Sequence, residues 1–270
     1  MTISPRLKTV VFPVAGKGTR FRPATLGTPK ELLPVIEKPL LQFAIEEAVE
    51  AGAETLIFVS NERKPGIETY VNLPGIAAEC KVHVVHQTQA LGLGHAVLCA
   101  REYVSDDEFG VILPDDLIFA PAGCLAQMAE IRGDCKTNII AVEPVARSAT
   151  NRYGIIDPSS SDGPTITAKG IVEKPSPEDA PSQLGVVGRY ILSTSIFERL
   201  ETQTKGSGGE IQLTDALARD IGTTGLNGYR FEGQRYDCGS PAGMLEATFA
   251  YARQRSDLVD TLNSCLKSAA

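Results

Sequence analysis

Short apolar runs recur along the first half of the chain and are separated by stretches with helical spacing. Val10, Val11, Phe12 and Val14 form one run, Thr55 to Val59 (TLIFV) a second and Phe109 to Leu113 (FGVIL) a third. Runs of this length without polar alternation suit strands covered on both faces. Lys81 to His86 (KVHVVH) and Thr137 to Val142 are further strand candidates. Between them, Leu40 to Ala51 carries apolar residues at 41, 45, 48 and 49, a helical stripe closed by Gly52. A short helix is expected around Pro65 to Val71, with others over His95 to Val104 and residues 121–132. This alternation predicts an α/β fold built on a doubly wound, mostly parallel, Rossmann-like sheet.

Past about residue 150 the pattern changes. Tyr153 to Asp157 and Thr165 to Val172 flank the turn Pro-Ser-Ser-Ser-Asp-Gly-Pro, which predicts a hairpin. Val186 to Leu192 reads as a strand, and helices are expected at 194–201, 210–221 and 241–256. The glycine-rich pieces at 205–209 and 222–228 read as short loops. No internal repeat or linker divides the 270 residues, so one domain with a smaller, mixed second half is expected.

Ligands of open α/β sheets sit at the carboxyl ends of the strands, and by that rule the turns at 15–20, 87–94 and 113–116 share one rim. The first of these turns is glycine-rich, Ala15-Gly16-Lys17-Gly18-Thr19. The first thirty residues hold no Asp or Glu but six cations: Arg6, Lys8, Lys17, Arg20, Arg22 and Lys30. Backbone N–H groups of a glycine turn can wrap a phosphate, with arginine forks and lysine charges around it. A polyphosphate cradle is the expectation. A dinucleotide fingerprint is excluded, because its third glycine position is Phe21, and no P-loop string exists.

The remaining composition narrows the partners. Twenty-six Lys and Arg against 33 Asp and Glu give a net charge of −7, which argues against nucleic acid or an anionic membrane. The six cysteines (80, 99, 124, 135, 238 and 265) are spread without a C-x-x-C, as thiols in a reducing cytosol would be. No apolar run approaches the ~18 residues of a membrane span and no signal-type h-region opens the chain, so a cytoplasmic protein is expected.

Two carboxylate groups stand out. Asp115 and Asp116 follow a buried strand, and Asp237 lies far along the chain in Tyr236-Asp237-Cys238-Gly239. Asp after a strand is commonly a turn or cap residue. Carboxylates from distant segments, however, suit Mg²⁺, which takes few protein ligands and completes its octahedron with water and phosphate oxygens. Glu173-Lys174-Pro175 ends a strand and by itself would be an ordinary exposed ion pair. Three histidines without ligand spacing offer no zinc site, and His95 is taken as a helix-start residue.

Gly16-x-Gly18-Thr19-Arg20 followed by Pro29-Lys30-Glu31-Leu32-Leu33-Pro34 resembles the signature of the sugar-1-phosphate nucleotidyltransferases. Within them it is most similar to the bacterial enzymes that use UTP and glucose 1-phosphate. Gly94-His95-Ala96-Val97-Leu98, Leu113-Pro114-Asp115-Asp116, Val172-Glu173-Lys174-Pro175, Val187-Gly188-Arg189-Tyr190, Gly209-Glu210-Ile211-Gln212-Leu213-Thr214-Asp215 and Asp237-Cys238-Gly239 fall in the family's order, so the resemblance spans nearly the whole chain. It implies a nucleotide half over about 1–150 and a sugar-phosphate half over about 151–270. Ala15, Gly16, Glu31, Gln87 and Gly92 match base-reading positions, with Gly18, Thr19 and Asp115 also on the nucleotide. Asp115 and Asp237 match the metal-binding aspartates, with Asp116 as the register alternative to Asp115. Glu173 is matched to sugar hydroxyls and Lys174 to the sugar phosphate, while Gly154, Val187 and Gly188 bring backbone to the sugar. Arg20, Lys30 and Lys174 are the expected catalytic cations, and a dimer or tetramer is implied. The segment between Ser60 and His86 is short for the family.

The missing base and nucleophile fit such a reaction. A sugar phosphate carries about −1.5 to −2 charge at neutral pH and can attack the α-phosphorus of UTP directly. Catalysis then consists of positioning and charge neutralisation. A sister enzyme using another nucleotide or sugar phosphate is the nearest rival. An inert nucleotide-sugar sensor would be expected to lack at least one of Arg20, Lys30, Asp115, Lys174 and Asp237, and all five are present.

Overall fold

The computed structural model describes residues 7–268 apart from Ala78 and Asp134; Arg6 of the basic opening lies outside the described residues. The chain opens with β1 (Thr9–Pro13), followed by a small ribbon of β2 (Pro34–Val35) and β3 (Lys38–Pro39). Next come α1 (Leu40–Glu50), β4 (Thr55–Ser60), α2 (Pro65–Val71), β5 (Lys81–His86), α3 (Leu93–Cys99), β6 (Glu108–Ile112), β7 (Asp116–Phe119), α4 (Cys124–Arg132) and β8 (Asn138–Pro144). The hairpin β9 (Gly154–Asp162) and β10 (Thr165–Glu173) is followed by β11 (Leu184–Ser193), α5 (Ile196–Glu201) and α6 (Leu213–Asp220). The chain continues through β12 (Leu226–Arg230), β13 (Gln234–Asp237), α7 (Pro241–Gln254) and α8 (Val259–Ser268).

Nine strands form one sheet in the order β5-β4-β1-β6-β11-β8-β12-β10-β9. The β5-β4-β1-β6 block is parallel throughout, and β12 also pairs parallel to β8. β11 runs antiparallel to both of its neighbours, so the second half of the chain enters the middle of the sheet begun by the first. Alternate side chains explain the double winding. Val10, Phe12, Leu56 and Phe58 point into one core beside Leu41, Ile45, Leu125 and Met128. Val11, Ile57, Val59 and Val111 point into the other, against Val97, Phe197, Leu200 and Leu217. Both faces of each strand are covered, which is why these segments read as unbroken apolar runs. A third, smaller cluster joins Val35, Leu40 and Leu117 to Cys238 and Ala247 of α7.

Several boundaries differ from expectation. α3 begins at Leu93 and ends at Cys99, after which Arg101–Tyr103 tightens into a 3-10 turn. The glycine-rich 222–228 piece is not wholly loop, because Leu226 begins β12. There Gly228 lies where an added Cβ would come within 2.8 Å of Ile156 and 3.3 Å of Val142. Asp116 does not end β6; it opens β7, which pairs antiparallel with β13 and sets Asp116 opposite Asp237. α8 is an element the sequence reading does not include, and none of its residues is buried. Among the described residues, no helix is long and apolar enough to cross a membrane.

β11 carries the irregularity that shapes the site. Val186 pairs with Val142 and Tyr190 with Ile140, so four steps along β11 match two along β8. The extra residues bulge at Val187-Gly188-Arg189, a device that re-aims backbone next to sites.

Candidate active site

The turn after β1 is held from behind by a buried ion pair. Lys64 Nζ donates to both oxygens of Glu31 (3.0 and 2.8 Å) and to the Val14 carbonyl (2.8 Å), while Asn61 Nδ2 donates to the Ala15 carbonyl at 2.7 Å. Gly18 takes a left-handed φ of 62° and its carbonyl accepts from Thr25 Oγ1 at 2.7 Å. Glu31 is 1% exposed. Burial pushes its carboxyl up and the Lys64 ammonium down. Through Lys64, Glu31 anchors the turn on which Ala15, Gly16 and Thr19 stand. Neither Lys64 nor Asn61 belonged to any motif.

Gln87 follows β5 and is nearly enclosed. Its Nε2 lies 3.1 Å from the Gly92 carbonyl and 2.9 Å from His95 Nδ1, so it braces the second turn. Gly92 has φ 92°, and an added Cβ would come within 2.7 Å of Glu210, so only glycine fits that approach.

A cleft of about 260 Å³ opens beside these turns, between Arg20 and Asp115 on one side and Glu173 and Lys174 on the other. Asp237, Gly154, Val187 and Gly188 also line it. Ala15, Gly16, Gly18, Thr19, Lys30, Glu31, Gln87 and Gly92 lie outside that lining, in the adjoining turns. Lys30 connects the two regions, because its ammonium contacts the Asp115 carboxylate. Burial raises the Asp115 carboxyl, but Lys30 and further hydrogen bonding outweigh it and hold the group below its ordinary value. Burial likewise lowers Lys30, but Asp115 and Glu31 more than offset this and its net shift is upward.

Asp115 and Asp237 converge. A Cβ placed on Gly239 would sit 2.9 Å from Asp115 Oδ2, 3.0 Å from Asp237 Oδ1 and 3.0 Å from Arg20 Nη2. The two carboxylate oxygens thus lie within about 6 Å by addition of those distances, a gap that two ligands of one octahedral cation can close by rotation. No cluster of three or more His, Cys, Asp or Glu is placed for a metal among the described residues. A two-carboxylate set fits a hard cation completed by water and phosphate, and does not fit a closed protein cage.

Asp116, the register alternative to Asp115, is engaged by other groups. Its Oδ1 accepts from Arg235 Nε at 2.6 Å and its Oδ2 from the Gly188 N–H at 2.8 Å. Arg235 also donates to Glu143 (2.8 Å) and to the Tyr153 hydroxyl (3.3 Å). Asp116 is therefore committed to holding the bulge, and burial still pushes its carboxyl up against the Arg235 charge. A Cβ at Gly188 would lie 2.6 Å from Leu113 and 2.7 Å from Asp116 Oδ2, so glycine is required for this approach.

At the other end, Glu173 is gripped by Thr214 Oγ1 (2.7 Å) and by Lys174 Nζ (2.9 Å). Gly154 is its register partner across β9 and β10. Lys174 has φ 46°, in the left-handed region a side chain rarely adopts. Arg152, Arg235, Tyr153 and Thr214 also reach this cleft; Thr214 lies in one of the family strings, whereas the isolated Arg152, Tyr153 and Arg235 carry no signal by which the sequence could have flagged them.

A larger cavity of about 640 Å³ lies elsewhere, around Asp106 to Glu108 and Ser193 to Ser195. Four of its charges pair with one another, Arg132 with Glu108 and Lys136 with Asp107. The smaller cleft, where charge, backbone approach and strain meet, is the candidate active site.

A mostly parallel sheet with a phosphate-type turn and a carboxylate pair at its carboxyl rim is the arrangement of an enzyme that handles nucleoside phosphates. The chain belongs to the nucleotidyl transferase family, whose model matches residues 10–254. It is 42% identical to a UTP–glucose-1-phosphate uridylyltransferase of Komagataeibacter xylinus over 255 residues, covering 87% of this chain and 90% of that protein. A Bacillus subtilis protein of the same name is 39% identical, with 95% of each chain covered. Among solved structures, a UDP-glucose pyrophosphorylase complexed with UDP-glucose superposes with a TM-score of 0.88 and 40% identity, over 92% of this chain and all of that one. A UTP-bound enzyme from Acinetobacter baumannii matches with a TM-score of 0.87 and 38% identity, over 96% of this chain and 98% of that chain.

Proposed function

We propose that this nucleotidyltransferase moves the uridylyl group of UTP to glucose 1-phosphate, giving UDP-glucose and pyrophosphate. The observation that carries this reading is the meeting of Asp115 with Lys30, and of Asp237 with Arg20, at the cleft that Glu173 and Lys174 also line. The relatives named above act on, or bind, the substrates or product this layout suits.

In this reading the turn at Ala15 to Thr19 and the Gln87–Gly92 brace take the nucleotide. Glu173, Gly154, Val187 and Gly188 take the sugar, and Lys174 takes its phosphate. A phosphate oxygen of glucose 1-phosphate attacks the α-phosphorus of UTP, and the bond to the β-phosphate oxygen breaks to release pyrophosphate. No proton has to be removed first, since the second pKa of the sugar phosphate is near 6. Arg20, Lys30 and Lys174 neutralise the two polyanions and hold them in line, which is where most of the barrier lies. Asp115 and Asp237 would hold Mg²⁺, which supplies neutralisation of phosphate oxygens when bound. The same reading treats about 1–150 as the nucleotide half and about 151–270 as the sugar-phosphate half of a cytoplasmic homo-oligomer.

Pyrophosphate release from UTP, dTTP, CTP, ATP and GTP with glucose 1-phosphate tests the proposal. UTP should lead, with dTTP a detectable second, because one methyl is worth about 1–3 kcal/mol or 10–200-fold. CTP, ATP and GTP should be poor, since an unpaired buried polar group costs roughly 1–3 kcal/mol. A specificity constant for dTTP at or above that for UTP would make the chain a thymidylyltransferase instead.

A further inference from the structure

Arg152 is a cation in the cleft to which the reading above gives no role. It ends the 3-10 turn Arg147–Arg152 and its side chain is 57% exposed. Its Nη2 donates to Asp237 Oδ2 at 2.9 Å, and Arg20 Nη1 stands 4.0 Å from the same oxygen. Two guanidinium groups thus share one carboxylate oxygen. Arg235, by contrast, is enclosed and committed to Asp116, Glu143 and Tyr153. Arg152 otherwise lies over the Tyr153 ring, 5.8 Å from its centroid.

The backbone brings Arg152 to the sugar-phosphate end. Gly154 is the partner of Glu173 in the β9–β10 ladder, and Lys174 N–H donates to the Tyr153 carbonyl at 3.0 Å. Arg152 therefore enters the cleft beside Lys174. We propose that Arg152 is a second ligand for the phosphate of the sugar 1-phosphate, and that it rests on Asp237 until a divalent cation takes that carboxylate. This inference rests on the reading of the Glu173–Lys174 end as a sugar-phosphate site. A phosphate of about −1.5 to −2 charge is matched by two cations better than by one. The guanidinium fork can give two parallel hydrogen bonds where lysine offers a point charge.

The test is calorimetric titration of glucose 1-phosphate, of UTP and, separately, of Mn²⁺ alone into the wild-type protein, Arg152→Ala and Arg152→Lys. Arg152→Ala should weaken glucose 1-phosphate roughly ten- to thirtyfold, the loss of a charged hydrogen bond, and UTP by less than about threefold. Arg152→Lys should recover part of the loss. Mn²⁺ should bind Arg152→Ala more tightly than wild type, because its competitor for Asp237 is gone. Glucose 1-phosphate binding within about twofold of wild type, or an equal loss for UTP, would overturn the phosphate role. Unchanged or weaker Mn²⁺ binding would overturn the resting contact. If the wild-type protein binds no glucose 1-phosphate, the sugar-phosphate reading falls first and takes this inference with it.

Discussion

Glu47 and Arg189 lie 142 positions apart and meet inside the protein as a two-bond pair, Nε to Oε1 and Nη2 to Oε2, each at 2.8 Å. Glu47 Oε1 also accepts the Leu125 N–H, and Arg189 Nη1 donates to the carbonyls of Gly188 and Leu113. The pair thereby ties α1 and α4 to the bulge of β11 and to the loop that carries Asp115. Both residues are buried, at 8% and 1% exposure. Removing one partner of such a pair strands a charge, which typically costs about 3–5 kcal/mol.

Glu47→Ala is therefore expected to lower unfolding free energy by roughly 3–5 kcal/mol in urea titration. Glu47→Gln, which keeps hydrogen bonds to the guanidinium, should lose less. A loss below about 1 kcal/mol for Glu47→Ala would show that the site is braced by other contacts.

Asp115→Asn and Asp116→Asn should separate two roles that stand side by side in the sequence. Asp115→Asn is expected to lower turnover by orders of magnitude and to leave the residual rate insensitive to added Mg²⁺. Asp116→Asn strips the charge facing Arg235 and should reduce stability by about 1.5–3 kcal/mol. Wild-type turnover should vanish with chelator and return with Mg²⁺. Should Asp116→Asn be the variant that abolishes the Mg²⁺ response at unchanged stability, the two assignments exchange.

That adjacency shows where sequence reading stops. The apolar runs of β1, β4 and β6 are legible because they are short, unbroken and rich in β-branched and aromatic residues, as strands covered on both faces are. β12 (Leu-Asn-Gly-Tyr-Arg) has the composition of a loop, and only its place between β8 and β10 makes it a strand. Asp115 and Asp116 are alike in one dimension. What distinguishes them is Arg235, 119 positions from Asp116, and Lys30, 85 positions from Asp115. Glu31 matched a motif, yet its partner Lys64 sits in a segment with none, so its enclosure could not be foreseen.

Asp220 gives a pH prediction free of the reaction centre. It is 0% exposed. Its carboxylate accepts from Asn138 (2.9 Å), Arg199 (3.2 Å) and Thr223 (2.9 Å). Burial raises its pKa, but hydrogen bonds from Thr223, Thr224, Asn138 and Arg199 outweigh burial and hold the carboxyl below its ordinary value. A depressed folded-state pKa contributes stability that is complete above the unfolded value and is lost as pH falls through the folded one. Asp220→Asn should thus be less stable than wild type near neutrality, by roughly 1.5–3 kcal/mol. The gap should narrow in acid, beginning as pH falls through the ordinary carboxylate range and continuing below it. A gap that stays constant down to the acid unfolding limit would mean the carboxylate charge is not what matters.

Lys174 permits a separation of backbone strain from side-chain function. Its φ of 46° lies where a Cβ crowds the neighbouring carbonyl, at a cost of about 1–2 kcal/mol for a residue other than glycine. Lys174 N–H is bonded to the Tyr153 carbonyl and Pro175 follows, so the chain has little freedom to relax. Strain kept at a site is retained by the surrounding structure, here by the β9–β10 ladder that ends at Glu173. Lys174→Ala and Lys174→Gly both remove the ammonium, but only glycine relieves the backbone. In thermal unfolding, Lys174→Gly should be more stable than Lys174→Ala by about 1 kcal/mol, part of which is offset by glycine's greater unfolded-state entropy. Both should raise KM for glucose 1-phosphate far more than KM for UTP, and to a similar degree, because both lack the phosphate ligand. If Lys174→Gly instead kept near-wild-type KM for glucose 1-phosphate while Lys174→Ala lost it, the residue's contribution would lie in its backbone conformation and the ammonium would be dispensable.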